Sequence, residues 1–390
     1  MGKTTVTHLL SFLLKAHGHN VNIGGNIGIG MLDLLTQRTL TTQTPESPAN
    51  SAPIAVLELS SFQLEYSNHC APDLAIITNI VPNHLDRHGT MRNYWNAKAH
   101  IFIHQRPTQK LVAPLELSSR ITETIGNKPG PSCIYFSSTQ PTTQELTYLK
   151  PQDSVIYIDQ ATRIITTAVY THGALNATRE IFSVDNLPKI SFIDNWLILC
   201  AALLARRITP TQELFNHALE LRTAQLEAGP IADPLEHRLE RVIVPKNSLE
   251  IYNDSKGTTP TSTLAAIKRF THQPIYLFIG GLSKGVDREP FIQELAAAHN
   301  QIKHIFCFGA ESVQLGSYCT KYALINSVHQ QLEGAVHACI ELYNNQDTQE
   351  KEISHSVILF SPAGSSYDLF KDYQERGTVF KRLMHEQFLK

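Results

Sequence analysis

Met1-Gly2-Lys3-Thr4-Thr5-Val6-Thr7-His8-Leu9-Leu10-Ser11-Phe12-Leu13-Leu14-Lys15-Ala16 opens the chain. Val6, Leu9, Leu10, Leu13 and Leu14 recur at helical spacing and Gly18 supplies a stop, so the pattern predicts a helix over 3–16. A Gly-Lys-Thr at a helix N-terminus is the closing half of a phosphate-binding loop. There, backbone N–H groups and the helix dipole face phosphates, Lys3 pairs with terminal oxygens, and Thr4 reaches Mg²⁺. Gly2 and Thr5 complete the stretch. A capped surface helix is the plain alternative.

Outward from this helix, strands are expected at 21–23, 54–59 and 74–78, the last two nearly continuous apolar runs of the kind covered on both faces. A helix is expected over 90–104. Alternating strands and helices imply an α/β fold with a mainly parallel sheet. Residues 105–185 are rich in Pro, Thr, Gln and Ser, with β-like runs at 154–158 and 163–170, and are expected at the periphery of the first domain. Helices at 193–206 and 210–221 close it. AGPIADP (228–234) is the expected hinge, giving domains 1–230 and 231–390. Beyond it, strands at 275–279, 303–308 and 356–360 alternate with helices, the pattern of a Rossmann-like, doubly wound domain.

Composition excludes several classes. The formal charge of −2 and the absence of basic runs argue against nucleic acid and membrane surfaces. The longest apolar stretch, 196–205, is too short to span a bilayer, and no signal peptide precedes the first helix. Six cysteines without a Cys-x-x-Cys pair read as buried thiols in a reducing compartment. A cytoplasmic chain is expected.

Polar groups gather at predicted strand ends, where open α/β sheets bind ligands. Gly24-Gly25-Asn26-Ile27-Gly28 follows the first strand, either as a ligand loop or as a tight turn. Leu57-Glu58-Leu59-Ser60-Ser61-Phe62-Gln63-Leu64-Glu65 puts Glu58 where it either completes a Mg²⁺ shell with Thr4 or forms a structural ion pair. His84, after the strand at 74–78, reads as a ligand, a base or, as for most of the chain's 18 histidines, a structural residue, and Lys98 by itself reads as a solvated lysine. In the second half, Glu236-His237-Arg238 and Asn253-Asp254-Ser255-Lys256-Gly257-Thr258 concentrate charge suited to phosphoryl transfer. Gly280-Gly281-Leu282-Ser283-Lys284-Gly285 and Ser361-Pro362-Ala363-Gly364-Ser365-Ser366 are further strand-to-helix loops.

In this order, LELSSFQLE (57–65), NHLDRHGTMRNYWNAKAHI (83–101), YNDSKGTTP (252–260) and SPAGSSYDLFKDYQERG (361–377) resemble the Mur ligases, over nearly the whole chain and most thinly between 105 and 190. The resemblance implies a P-loop-type central ATPase domain followed by the C-terminal domain. It implies a cytoplasmic, monomeric, ATP-dependent ligase of peptidoglycan synthesis, and hence of cell shape and division. The implied reaction adds D-glutamate to UDP-N-acetylmuramoyl-L-alanine through an acyl phosphate. Lys3, Thr4 and Glu58 would hold ATP and one Mg²⁺. His84 would hold a second Mg²⁺ together with a carbamylated Lys98, reversing the bland reading of that lysine. Asn26, Ser60 and Gln63 match positions facing the muramoyl-peptide. Asn195, Arg238, Asp254 and Lys256 match nucleotide and phosphate contacts. Thr258, Lys284, Ser366 and Tyr373 match the D-glutamate pocket, with Tyr373 where the family has Phe.

Two departures stand out. Ser191-Phe192 replaces the family's His-Asn, so the resemblance supplies no adenine-side contact there. The family's N-terminal UDP-binding domain of about ninety residues and the first half of the phosphate loop are also missing. The expectation is that coding sequence continues in frame upstream of Met1. The alternatives are a truncated, non-catalytic Mur-like binding or regulatory protein and an amide ligase of the folylpolyglutamate synthase type. LELSSFQLE and SPAGSSYDLF argue against the latter.

Overall fold

The computed structural model describes residues 2–27, 29–31, 33–34, 53–171, 174–187, 192–227, 236–244, 250–270, 273–297, 301–345 and 356–388. The expected hinge at 228–234, Gly28 and Ser191 lie outside these. The chain forms two compact units, 1–80 with 90–234 and 81–89 with 235–390.

In the first unit, α1 (Lys3–Ala16) has the predicted bounds. Its C-terminus turns at Gly18, whose φ of 88° is the left-handed conformation that glycine adopts without a Cβ penalty. Strands β1 (Val21–Gly25) and β2 (Ile54–Glu58) pair in parallel, with Gly25 opposite Glu58. The short helix α2 (Ser61–Glu65) follows β2. A six-stranded sheet runs in sequence order through β3 (Leu74–Ile76), β4 (Lys110–Pro114), β5 (Ser132–Ser137), β6 (Ser154–Asp159), β7 (Ile164–Thr171) and β8 (Ala174–Ser183). It is parallel from β3 to β6 and antiparallel from there on.

This corrects the peripheral placement of 105–185. β4, β5 and β6 are the middle of the sheet, and Leu111, Val112, Ala113, Val155 and Ile156 are fully buried. The runs expected at 154–158 and 163–170 fall on β6 and β7, whereas β4 and β5 are only five and six residues long and sit between Pro- and Thr-rich loops, which hid them. Helix α3 (Leu85–His88) belongs to the second unit. Back in the first, α4 (Met91–Ala99), α5 (Ser118–Ile125) and α6 (Thr143–Leu146) accompany the sheet. α7 (Ile193–Ala205) buries Leu197, Leu199 and Leu203 completely, each worth about 1.5–3 kcal/mol. α8 (Gln212–Glu227) packs on α1.

The second unit holds β9 (Glu240–Val242), β10 (Glu250–Asn253), α9 (Pro260–Ile267), β11 (Ile275–Gly280), α10 (Glu289–Ala297), β12 (Ile302–Phe308), α11 (Ser312–Lys321), β13 (Asn326–His329), α12 (Leu332–Asn344), β14 (Val357–Phe360) and α13 (Tyr373–Phe388). Its sheet has the order β13-β12-β11-β14-β10-β9, parallel except for β9. The last parallel strand, β14, inserts between β10 and β11, so the carboxyl ends of these three strands are adjacent. One core lies on each face. Phe360 stacks on Phe380 at 4.1 Å on one, and Ile275, Leu277 and Ile279 line the other. All six cysteines are free thiols, five of them buried.

Candidate active site

Within the first unit the site begins at Gly2, which caps α1 with φ 80°. A Cβ there would lie 2.3 Å from the Asn195 side-chain oxygen, so only glycine lets the start of α1 rest against that buried amide. The first N–H groups of a helix have no intrahelical acceptor and carry the positive end of its dipole. In this first turn Thr4 Oγ1 donates to Glu58 Oε2 at 2.5 Å, and both residues are buried. Glu58 is the last residue of β2, and its other oxygen accepts from Asn26 Nδ2 at 3.3 Å. Asn26 N also donates to the Glu58 carbonyl at 2.7 Å. At Gly25, with φ 102°, a Cβ would meet that same carbonyl at 2.3 Å, so the approach of β1 to β2 at this end requires glycine. A hydroxyl beside a carboxylate is the hard oxygen set that Mg²⁺ takes, so the donors fit the ion.

Lys98 sits in the last turn of α4, with Nζ 3.4 Å from the Asn79 carbonyl and 4.9 Å from the centre of the Tyr94 ring. Burial, reinforced by the charge of Lys3, lowers its ammonium to about 7. Two ammonium groups close enough to repel inside a fold are an arrangement that an anion relieves. Ser60 and Gln63 have a local structural use. Gln63 N donates to Ser60 Oγ, while Ser60 N and Oγ both donate to Gln63 Oε1, a reciprocal cap of α2.

In the second unit, Asp254 follows β10 and accepts from Ser361 Oγ at 2.7 Å. Burial pushes its carboxyl up to about 7, against the pull of Ser361 and Arg238. At Gly257 a Cβ would sit 2.4 Å from the Asp254 carboxylate, so the loop closes only with glycine. Lys256 Nζ lies 3.7 Å from the centre of the Tyr373 ring, a cation–π contact. Lys284, itself at φ 55°, donates to Thr258 Oγ1 at 3.2 Å. Leu282 and Ser365 exchange backbone hydrogen bonds, which sets buried Ser366 beside the Lys284 loop. His84, with φ 56°, groups with this second unit, whereas Lys98 groups with the first.

Sequence reasoning missed two buried guanidinium groups here. Arg288 donates to the Gly280 and Gly281 carbonyls and to Glu311, and Arg376 reaches two loops at once. On a helix or in a loop, an arginine reads as a solvated charge, and no local pattern marks these. Glu236, His237 and Glu240 also converge. The Lys381 ammonium already pairs with both carboxylates, 2.5 Å from Glu236 and 2.8 Å from Glu240, so this cluster reads as an internal ion pair. Among the described residues no helix is long and apolar enough to cross a membrane.

Comparison with known proteins gives the family. Residues 1–178 match the Mur ligase middle domain. The UDP-N-acetylmuramoylalanine–D-glutamate ligase of Oenococcus oeni is 31% identical over 385 residues, covering 98% of this chain and 74% of the relative. That of Clostridium perfringens is 30% identical, covering 98% and 72%. Among solved structures, MurF from Acinetobacter baumannii superposes with a TM-score of 0.60 at 18% identity, covering 100% of this chain and 75% of that one. MurF from Thermotoga maritima in complex with ADP gives 0.59 at 14% identity, covering 100% and 78%. With relatives at 30% identity and above aligned along almost its whole length, and an α/β architecture shared with solved members, the chain belongs to the Mur ligase family.

Proposed function

We propose that this chain is an ATP- and Mg²⁺-dependent ligase that joins D-glutamate to UDP-N-acetylmuramoyl-L-alanine in the cytoplasmic synthesis of peptidoglycan precursors. The observation that carries this reading is the Thr4–Glu58 pair at the start of α1, next to the mutually repelling Lys3 and Lys98. It offers hard oxygens to a cation and ammonium groups to phosphates in one place. The choice of substrates rests on the names of the relatives from Oenococcus oeni and Clostridium perfringens.

In this reading residues 1–230 act as the ATP-binding domain and 231–390 as the domain for the incoming amine. Gly2, Lys3, Thr4 and Thr5 cradle the phosphates of ATP, and Asn195, Arg238 and Asp254 contact the nucleotide. Thr4 and Glu58 would hold one Mg²⁺, and His84 with Lys98 a second, neutralising charge on the phosphate oxygens. Lys98 near 7 is partly a free amine at neutral pH. That form adds to CO₂, making an N–C bond and releasing one proton, and the resulting carbamate is an anionic oxygen ligand. Asn26, Ser60 and Gln63 face the muramoyl-peptide.

The substrate carboxylate attacks the terminal phosphorus of ATP, a carboxyl O–P bond forms, and ADP leaves. The D-glutamate amine, placed by Thr258, Lys284, Ser366 and Tyr373, then attacks the acyl carbon. The nitrogen loses a proton and the tetrahedral adduct expels phosphate. Lys256 stabilises the charge that spreads over the phosphoryl oxygens. The test is phosphate release from ATP in a form carrying any coding sequence that precedes Met1 in frame. Release that requires both UDP-N-acetylmuramoyl-L-alanine and D-glutamate is expected. Release no greater than in ATP-only controls overturns the reading.

A further inference from the structure

Arg376 lies on α13, three residues after Tyr373, with none of its surface exposed. A guanidinium out of water is costly unless its N–H groups find acceptors. Nε donates to Ser255 Oγ at 3.0 Å, Nη2 to the Ser255 carbonyl at 2.7 Å, and Nη1 to the Gly364 carbonyl at 3.1 Å. Ser255 Oγ in turn donates to the Tyr373 carbonyl at 2.8 Å. A Cβ on Gly281 would come within 3.0 Å of Nη1, so the loop after β11 lies against the same group.

The three hydrogen-bond acceptors are neutral oxygens on two separate loops, while the Asp368 and Asp254 carboxylates act on the guanidinium through their charge. Burial lowers Arg376 to about 9, which leaves it protonated at neutral pH. A planar fork has one geometry that satisfies several carbonyls at once, so it fixes distances between loops more tightly than a single hydrogen bond does. The loops it joins carry Asp254, Lys256 and Thr258 on one side and Ser366 on the other.

We propose that Arg376 is a positioning residue whose fork sets the spacing between the loop after β10 and the loop after β14, and so between Lys256 and Ser366. The consequence for catalysis rests on the ligase reading given above. The spacing itself does not.

The test compares wild type, Arg376→Lys and the milder Ser255→Ala, which removes one acceptor and the link to Tyr373. Amide hydrogen exchange is expected to quicken at least about tenfold in 253–258 and 361–366 in Arg376→Lys, and less in Ser255→Ala. Exchange in β11, β12 and the first unit stays unchanged. In steady-state phosphate release, kcat/KM for D-glutamate falls about 100-fold, the scale of an ångström-level misplacement. KM for UDP-N-acetylmuramoyl-L-alanine holds within about twofold. Unchanged exchange in both loops, or a uniform rise across the whole second unit, overturns the proposal. Inactive wild type would sink the ligase reading, and the exchange arm would still decide the role of Arg376.

Discussion

Both units set charged groups at the carboxyl ends of parallel strands, yet they hold them by different means. In the first unit, Glu58 is fixed by a threonine hydroxyl and an asparagine amide, at a close approach of two paired strands that only Gly25 permits. In the second, loops bearing Asp254, Lys256 and Lys284 are tied by buried guanidinium groups to backbone carbonyls. The contrast extends to ionisation. Burial drives the Lys98 cation down to about 7 and the Asp254 acid up to about 7. Each site disfavours the charge it would carry alone.

The sharpest way to break the comparison is at Lys98. Lys98→Met is expected to lower phosphate release about 10³-fold, the scale seen when one preorganised charge-stabilising group is removed. It also changes the pH dependence of stability. The folded pKa of Lys98 is depressed below its unfolded 10.5, so its contribution is present above 10.5 and is lost as pH falls through 7. Urea unfolding followed by tryptophan fluorescence reports this unit alone, because Trp95 and Trp196 are the chain's two tryptophans and both belong to it. The loss between pH 10 and 7 should be smaller in the variant. An unaltered slope means that Lys98 is not destabilised in the fold.

Asp254 tests the opposite sign. Its folded pKa is raised above the unfolded 3.8, so its contribution is complete below 3.8 and is lost as pH rises through 7. For a shift of this size in a buried group the loss is on the order of 4 kcal/mol. Asp254→Asn removes it. Amide exchange in β10 and β14 should show wild type weakening from pH 4 to 8 while the variant does not. If both weaken alike, Ser361, Arg238 and Arg376 stabilise the carboxylate fully and the two sites do not mirror one another.

A smaller effect separates packing from charge. Gly377 faces the buried ring of His237, and a Cβ would lie 2.2 Å from Nδ1. Asn253 Nδ2 meets the same nitrogen at 2.9 Å. Gly377→Ala should cost about 1–3 kcal/mol by overpacking, seen as faster exchange in the second unit with tryptophan-detected unfolding unmoved. A shift in the tryptophan transition would show that the two units do not unfold separately.

What the sequence disclosed follows the same division. Helix α1 was legible to the residue because five apolar positions fall on one face and Gly18 ends it. Glu58 was legible because a carboxylate closing an apolar strand has few uses. The sheet of the first unit was legible only in part: the runs at 74–78, 154–158 and 163–170 fall on β3, β6 and β7, but Lys110–Pro114 and Ser132–Ser137 are brief runs whose burial depends on neighbours far along the chain. β13, with Asn, Ser and His among its four residues, carries no strand pattern at all. Arg288 and Arg376 were invisible for a related reason: each has two of its three acceptors among backbone carbonyls brought close by topology, and a carbonyl leaves no mark in a sequence.

Ser60 marks where the two kinds of reading overlap, and the smallest effect tests it. The proposed function gives it a substrate-facing role, while its hydroxyl and N–H are engaged by Gln63 in a reciprocal cap. Ser60→Ala removes a cap worth about 1 kcal/mol, and tryptophan-detected unfolding should shift by that amount. If the serine also faces the muramoyl-peptide, KM for UDP-N-acetylmuramoyl-L-alanine rises several-fold while KM for D-glutamate holds. Ser60→Thr keeps the capping oxygen and adds a methyl group, so it should recover stability and still raise that KM. Full recovery of both would assign Ser60 to the fold of α2 alone. The substrate role in this stretch would then pass to its neighbours, and the first unit's site would narrow to Thr4, Asn26, Glu58 and Lys98.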